Sequence, residues 1–457
     1  QEDHEEEEGI LENSSIDTNS GTAGVSWITP RGFLGVSVNR FETNYGVPGH
    51  GHHEEEGLSA QQEEEEEEHV RIDMNQTRFD LKGERTFDGL LRRVRVRFGT
   101  TDYEHVELEG AEIGTEFTNE AWEGRIEAAH GPLGALEGTV GAQISRRDFA
   151  AFGEEAFVPP TETGTEALFV FEELERGDWS YQFGARYEHQ DVTVHAADLP
   201  DRSFSGLSGS IGAVWFAEGA PGIIAASIAR AVRLPTAEEL YSNGPHAATR
   251  TFEVGDVNLD EETSLGVDLS FRRNVGPVQG ELTLFWSDFS GFIFPHPTGE
   301  VEDGLPVFFY RQSDATFTGL EALMHITVWE REPHHLEIEI GGDLVDADLD
   351  GGGNLSRIAP ARLFAGLIYQ GERWFADVTA RHVFDQDDVA DFEEPTDGYT
   401  LLEANAGFRF LMGETAHQVI LRGRNLTDEL ARSHVSPLKE VAPLPGRDLS
   451  LAYRLIF

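Results

Sequence analysis

Two stretches of this chain concentrate side chains able to hold a cation. The first reads His50-Gly51-His52-His53-Glu54-Glu55-Glu56 and runs on to a block of glutamates at 63–68 and His69. Imidazole nitrogen and carboxylate oxygen both bind zinc, at about 2.0–2.2 Å. His50 and His52 could chelate one ion, with His53 and a following glutamate, Glu54 or Glu55, completing the set. So repetitive a run captures ions quickly and holds them loosely; a solvated acidic loop is the competing reading. His4 with Glu5, Glu6, Glu7 and Glu8 repeats the composition.

The second stretch, residues 229–260, opens as a strand and continues as a long polar loop carrying Glu238, Glu239, Tyr241, His246 and Glu253. It is sparser and better ordered, because Pro235 and Gly244-Pro245 restrict the backbone. Glu239 and His246 are seven residues apart, a spacing that suits ligation across a loop and not along a helix. His246 packing against loop neighbours is the bland alternative. His296, between Pro295 and Pro297, is a third candidate. His105, His130, His189, His195, His325, His334, His335, His382, His417 and His434 are scattered and read as lumenal, turn or interface residues.

The elements that must position these groups are strands. Arg93, Arg95 and Arg97 alternate with Val94, Val96 and Phe98; Leu336, Ile338 and Ile340 alternate with Glu337 and Glu339; Leu449, Leu451, Tyr453, Leu455 and Phe457 share one face. Period two with one charged face marks strands wetted on one side. Many run on the order of 10–15 residues, long enough to cross a bilayer at a tilt. Connections alternate between short turns and long polar loops, the long ones expected near 42–68, 101–114, 150–163, 190–202, 231–260, 295–305, 349–359, 385–398 and 425–445. That alternation predicts an all-β fold, a transmembrane antiparallel β-barrel of roughly 19 strands. An odd count ending on the short-turn side puts residues 1–12 outside the cell. It further predicts an N-terminally truncated barrel domain over 1–457, with an odd number of strands before it.

The chain carries 84 acidic and 34 basic residues, a net charge of −50, which repels nucleic acid and attracts cations. It has no cysteine, so any metal must be held by His, Asp, Glu or backbone oxygen. No apolar run is long enough for a transmembrane helix, which says nothing against a barrel. The chain opens Gln1-Glu2-Asp3-His4 with no signal peptide, which suggests a processed or truncated start. No Gly-x-Ser-x-Gly elbow, P-loop, His-Glu-x-x-His or dinucleotide fingerprint is present, so no enzyme activity is expected. The arginine row at 93, 95 and 97 is read as an anion path or as balancing lumenal carboxylates such as Glu337 and Glu339. Trp179, Trp215, Phe216 and Trp374, near short turns, fit a membrane-interface belt.

Several segments, in order, resemble TonB-dependent outer-membrane receptors. Arg233-Leu-Pro-Thr-Ala-Glu-Glu-Leu-Tyr241 is similar to their mid-barrel signature, Asn425-Leu-Thr-Asp428 to their penultimate-strand motif, and Pro445-Gly-Arg447 with the strand ending in Phe457 to their closing strand. A narrower resemblance, to the zinc-uptake branch, rests on Tyr45-Gly-Val-Pro-Gly-His50, on residues 243–256 and on residues 304–319. The resemblance implies a barrel of about 22 strands, an N-terminal plug, and a monomer in the Gram-negative outer membrane, surrounded by lipid. It implies import of a metal ion or chelate, most expectedly zinc, energised by the TonB complex through the plug. No further cofactor is implied. The plug and about three initial strands are not recognisable here. A plugless passive cation-selective pore, or a surface metal-binding module, is therefore kept as the alternative.

Overall fold

A computed structural model describes residues 11–48, 70–110, 112–153, 156–246, 249–302 and 304–456. His50, His52, His53, Glu54 and Glu55 lie outside the described residues, as do His4 and its glutamates.

Among the described residues, the period-two pattern becomes one sheet of 21 strands. The first ten are β1 (Ile16–Thr29), β2 (Gly32–Gly46), β3 (Val70–Thr86), β4 (Leu91–Glu109), β5 (Glu112–Leu133), β6 (Leu136–Gly153), β7 (Thr161–Arg176), β8 (Trp179–Val194), β9 (Arg202–Trp215) and β10 (Ile223–Arg233). A short helix, α1 (Ala237–Tyr241), and a small hairpin of β11 (Asn243–His246) and β12 (Thr251–Val254) follow. The rest are β13 (Glu262–Arg273), β14 (Val278–Glu302), β15 (Leu305–Arg331), β16 (His334–Leu349), β17 (Arg362–Gln370), β18 (Trp374–Val383), β19 (Tyr399–Met412), β20 (Thr415–Arg424) and β21 (Asp448–Ile456). Each wall strand pairs antiparallel with its neighbour in sequence, and β10 pairs directly with β13. Setting aside β11 and β12, nineteen strands form the wall, the number expected from the alternation. Among the described residues, β1 and β21 are the two edges of the sheet.

Register separates the two faces. On β4, Val96 and Phe98 are exposed on the outer face, while Arg93, Arg95 and Arg97 point inward. Their partners correct the sequence expectation. Arg95 reaches Glu84 on β3 at 2.7 Å, and Arg95 and Arg97 lie within 3.8 and 3.7 Å of Glu127 on β5. Glu337 and Glu339 instead meet His325, at 2.9 and 3.7 Å. Balancing charges come from adjacent strands, because cross-strand neighbours share a face at close range. Trp179, Phe216 and Trp374 are exposed at short-turn ends, and Trp179 stands opposite Trp215. These are the positions an interface belt requires.

Two connections expected to be long loops are strand instead. β4 and β5 continue their ladder through 101–114 up to Glu109 and Glu112. β14 and β15, 25 and 27 residues long, pair up to Glu302 and Leu305, with irregularities between Phe289 and Phe292 and between Pro297 and Val301. Prolines 295 and 297 looked like loop punctuation. Past Ser290, however, β14 has no further pairing with β13, so a residue without an N–H costs no ladder bond on that side.

The largest buried apolar cluster sits at the long-loop end of the wall. It joins Phe117 of β5, Phe157 and Val158, Val192 of β8, Phe204 of β9, Leu234, Leu240, Tyr241, Leu259 and Ile293 of β14. The segment between β10 and β13 is thus folded into the mouth.

Candidate metal site at the barrel mouth

Thr236 caps α1: its hydroxyl accepts from the Glu239 backbone N–H, and the Glu239 carboxylate accepts from the Thr236 N–H. This reciprocal capping box turns the chain at the rim. The same Glu239 carboxylate pairs with Arg233 at 2.9 Å, and Arg233 also holds Glu262 at 3.0 Å. The resemblance signature therefore does structural work here, tying the end of β10 to α1 and to the start of β13. Tyr241 is buried, and its hydroxyl donates to the Pro200 carbonyl at 2.9 Å. Glu238 pairs with Arg147 of β6 at 2.7 Å. Glu239 and Tyr241 are thus engaged in holding the loop.

The β11–β12 hairpin brings His246 and Glu253 together. Gly244 stands opposite Glu253 and His246 opposite Thr251, so the two side chains are diagonal neighbours on one face. His246 Nδ1 lies 2.9 Å from Glu253 Oε1. Thr249 and Thr251 hydroxyls donate to the same oxygen, at 3.0 and 3.3 Å, and the Tyr310 hydroxyl donates to Oε2 at 3.1 Å. Tyr310 comes from β15, where Phe252, Glu253 and Val254 lie parallel to Val307, Phe308 and Phe309. Burial works to raise the Glu253 pKa, but the bonds from His246, Thr249 and Tyr310 outweigh it and hold the carboxyl below its usual range. Burial beside that carboxylate pushes the Tyr310 phenol up.

An ionised Glu253 can only accept, so the bond requires a proton on His246 Nδ1; in the neutral ring Nε2 then keeps its lone pair. A histidine fixed in this way by a carboxylate is set up to offer its other nitrogen to a metal. The ring stacks on Phe157 at 4.4 Å and 16°. Gly244 permits that approach: a Cβ there would stand 3.1 Å from the Phe157 Cα.

His296 lies apart from this pair, on the extended β14, in edge contact with Phe294. Burial, with Arg311 nearby, lowers its pKa. Among the described residues, no group of three or more His, Asp and Glu side chains is gathered closely enough to enclose a metal ion. No long apolar helix is present among them either.

Tyr310, Thr249 and Thr251 were not singled out from the sequence. Tyr310 is distant in the chain and arrives only through the parallel β12–β15 pairing, which no local pattern announces. The Thr236-x-x-Glu239 capping box was readable as a helix start, but α1 is too short to show helical periodicity.

The family described as TonB dependent receptor-like, beta-barrel, matches residues 13–426 of this chain. Among solved structures, the chain is similar to the copper transporter OprC, with a TM-score of 0.79 and 14% identity over 97% of this chain and 72% of that one. It is similar to the FrpB iron transporter from Neisseria meningitidis (F5-1 variant), with a TM-score of 0.76 and 13% identity over 98% of this chain and 74% of that one. It is also similar to the ferric citrate transporter FecA, with a TM-score of 0.72 and 14% identity over 97% and 71%. At such identities these likenesses show the shared barrel. The family match spans most of the chain and agrees with the strand order: the chain belongs to the TonB-dependent receptors, outer-membrane transport proteins of Gram-negative bacteria and not enzymes.

Proposed function

We propose that this chain is the barrel of a receptor that captures a divalent metal ion, zinc foremost, at its outer mouth for import. The observation that carries the reading is the His246–Glu253 pair, a half-buried imidazole beside a buried carboxylate, with one imidazole nitrogen left for a ligand. The copper and iron transporters among its structural neighbours support metal as the cargo class. Zinc accepts imidazole and carboxylate and needs no thiolate, in keeping with a chain that lacks cysteine. His50, His52, His53, Glu54 and Glu55 would collect ions and His246 would select among them. His296 is a further contact on the rim. Energy from the TonB complex would reach the barrel through a plug, as in the family, because a scarce ion does not accumulate by diffusion.

Zinc-limited growth tests the reading. Cells relying on the full-length receptor should lose growth in chelator when His246 is changed to Ala, and regain it with added zinc. Equal growth of variant and wild type would overturn the assignment of the mouth site.

A passive cation-selective pore is the second reading. It draws on the inward carboxylates Asp268, Glu321, Glu337, Glu339, Asp343, Asp377 and Glu403 of β13–β19. Steady cation-selective conductance of this chain in a planar bilayer would favour it.

A further inference from the structure

Arg230 faces the membrane. Along β10, Ser227 donates to the inward Asp268 at 3.0 Å, so Ile224, Ile228 and Arg230 stand on the outer face, where both isoleucines are exposed. Arg230 lies opposite Gly209 of β9 on one side and Leu265 of β13 on the other. From Ile223, where β10 starts, the strand climbs about 18 Å to Arg230, at roughly 3.3 Å per residue and a 40° tilt. The apolar band of such a wall is about 25 Å tall. One outward step higher, Leu168, Tyr187 and Leu207 lie side by side on β7, β8 and β9 and are still exposed. Arg230 therefore stands in the outer-leaflet half of the lipid-facing surface.

A break in the sheet surrounds it. β9 and β10 pair only as far as Gly209 and Arg230, while β9 goes on pairing with β8 up to Arg202 and β10 with β13 up to Arg233. The Leu207 carbonyl accepts from Arg230 Nη1, and the Thr263 hydroxyl lies 3.5 Å from Nη2. Thr263 stands opposite Val232, so the side chain points up toward the outer headgroups. Among the described residues no carboxylate pairs with it. Arg146, facing outward on β6, is by contrast held by Asp148 at 3.1 Å and Glu162 at 2.6 Å. A cleft of about 450 Å³ opens beside Arg230, with Ala185, Gly209, Leu207, Ser205, Val232 and Glu261 in its walls. An ionisable side chain at this depth marks a site whose partner carries the opposite charge.

We propose that this cleft holds one phosphorylated glycolipid of the outer leaflet. Its phosphate meets the Arg230 guanidinium, which has five N–H donors and gives two to the protein. Its sugar hydroxyls donate to the Glu261 carboxylate and exchange hydrogen bonds with Ser205. An acyl chain lies over Ala185 and Gly209, whose small side chains keep the floor low, and against the exposed Leu207 and Ile211. The lipid thus fills the gap in the β9–β10 ladder, next to the point where the chain leaves the wall for the mouth. The inference stands apart from the cargo bound above.

The test uses the full chain refolded in detergent, with diphosphorylated lipid A as the probe and native mass spectrometry as the readout of retained lipid. Heat-modifiable electrophoretic mobility reports folding for each variant. The expected result is one lipid A per chain, with an affinity about tenfold lower in Arg230→Gln. Arg230→Lys should restore part of it, and Arg146→Gln should leave it unchanged. Lipid A stripped of its phosphates should bind the wild type no better than intact lipid A binds Arg230→Gln. Gly209→Leu, which fills the floor of the cleft and keeps the charge, should weaken binding as well. Equal retention by the wild type and a folded Arg230→Gln would overturn the site, as would an equal loss in Arg146→Gln. Phosphatidylglycerol retained as tightly as lipid A would overturn the glycolipid as its occupant.

Discussion

His246 Nδ1 stands 2.9 Å from Glu253 Oε1, joined across a hairpin whose other contacts come from β6–β7, β14 and β15. The carboxylate is buried and the imidazole half-buried, although both are ionisable. Such a group is retained where its charge is balanced and its geometry is used. Its support can be disturbed piece by piece.

Changing Tyr310 to Phe removes the donor to Glu253 Oε2 and leaves the ring in place. Losing one hydrogen bond to a buried carboxylate should cost about 1–3 kcal/mol, read as faster amide exchange in β12. The folded pKa of Glu253 is depressed, so its contribution is present above the ordinary carboxylate range and lost as pH falls through the folded value. In the variant that loss should begin at a higher pH. Unchanged exchange at every pH would show that the phenol contributes nothing.

Acidification should loosen the mouth through His105. Its folded pKa of about 4 lies below the ordinary 6.5, so the unfolded chain binds the extra proton first. Stability therefore falls as pH drops from 6.5 toward 4, and His105→Phe should flatten that slope. Limited proteolysis of the 234–261 segment across this range is the measurement.

Gly255→Ala should displace α1 from the hairpin. An added Cβ would stand 2.7 Å from the Leu240 carbonyl carbon and the Tyr241 nitrogen, both backbone. Overpacking of this kind costs about 1–3 kcal/mol. Zinc affinity should drop while the wall, judged by heat-modifiable mobility, stays intact.

A second buried charge cluster joins the other outer loops. Lys439 Nζ reaches Glu393 Oε1 at 3.1 Å and His434 Nε2 lies 3.3 Å from the same oxygen, with the three side chains nearly inaccessible. The Arg357 N–H donates to that carboxylate too, so three loops meet on Glu393. Lys439→Met takes the ammonium from a buried carboxylate still held by the Arg357 and Ala390 N–H groups, at a cost of about 3–5 kcal/mol. Protease cleavage should then appear within 384–398 and 425–447 and leave the His246 site unaffected.

Much of this was legible in the sequence. Alternation along Arg93–Phe98 or Leu336–Ile340 fixes inside and outside whatever the strand's neighbours are, so the wall and its nineteen strands could be counted. The upper hairpins were misread because their charged and proline-rich stretches look like loop when pairing cannot be seen. His246 and Glu253 were both picked out, but their contact depends on the β11–β12 register. Glu239 and Tyr241 look like ligands by type; only Arg233, Thr236 and Pro200 reveal their roles. His105 was read with the scattered histidines, because its stack on Phe117 depends on the β4–β5 register.

The most direct test is zinc calorimetry on the refolded chain carrying His50→Ala, His52→Ala and His53→Ala, with and without His246→Ala and Glu253→Gln. Binding at micromolar zinc in the first protein, weakened about 10–100-fold by Glu253→Gln and abolished by His246→Ala, is the predicted result. Absence of zinc binding, or binding indifferent to both changes, would contradict a metal site at the mouth.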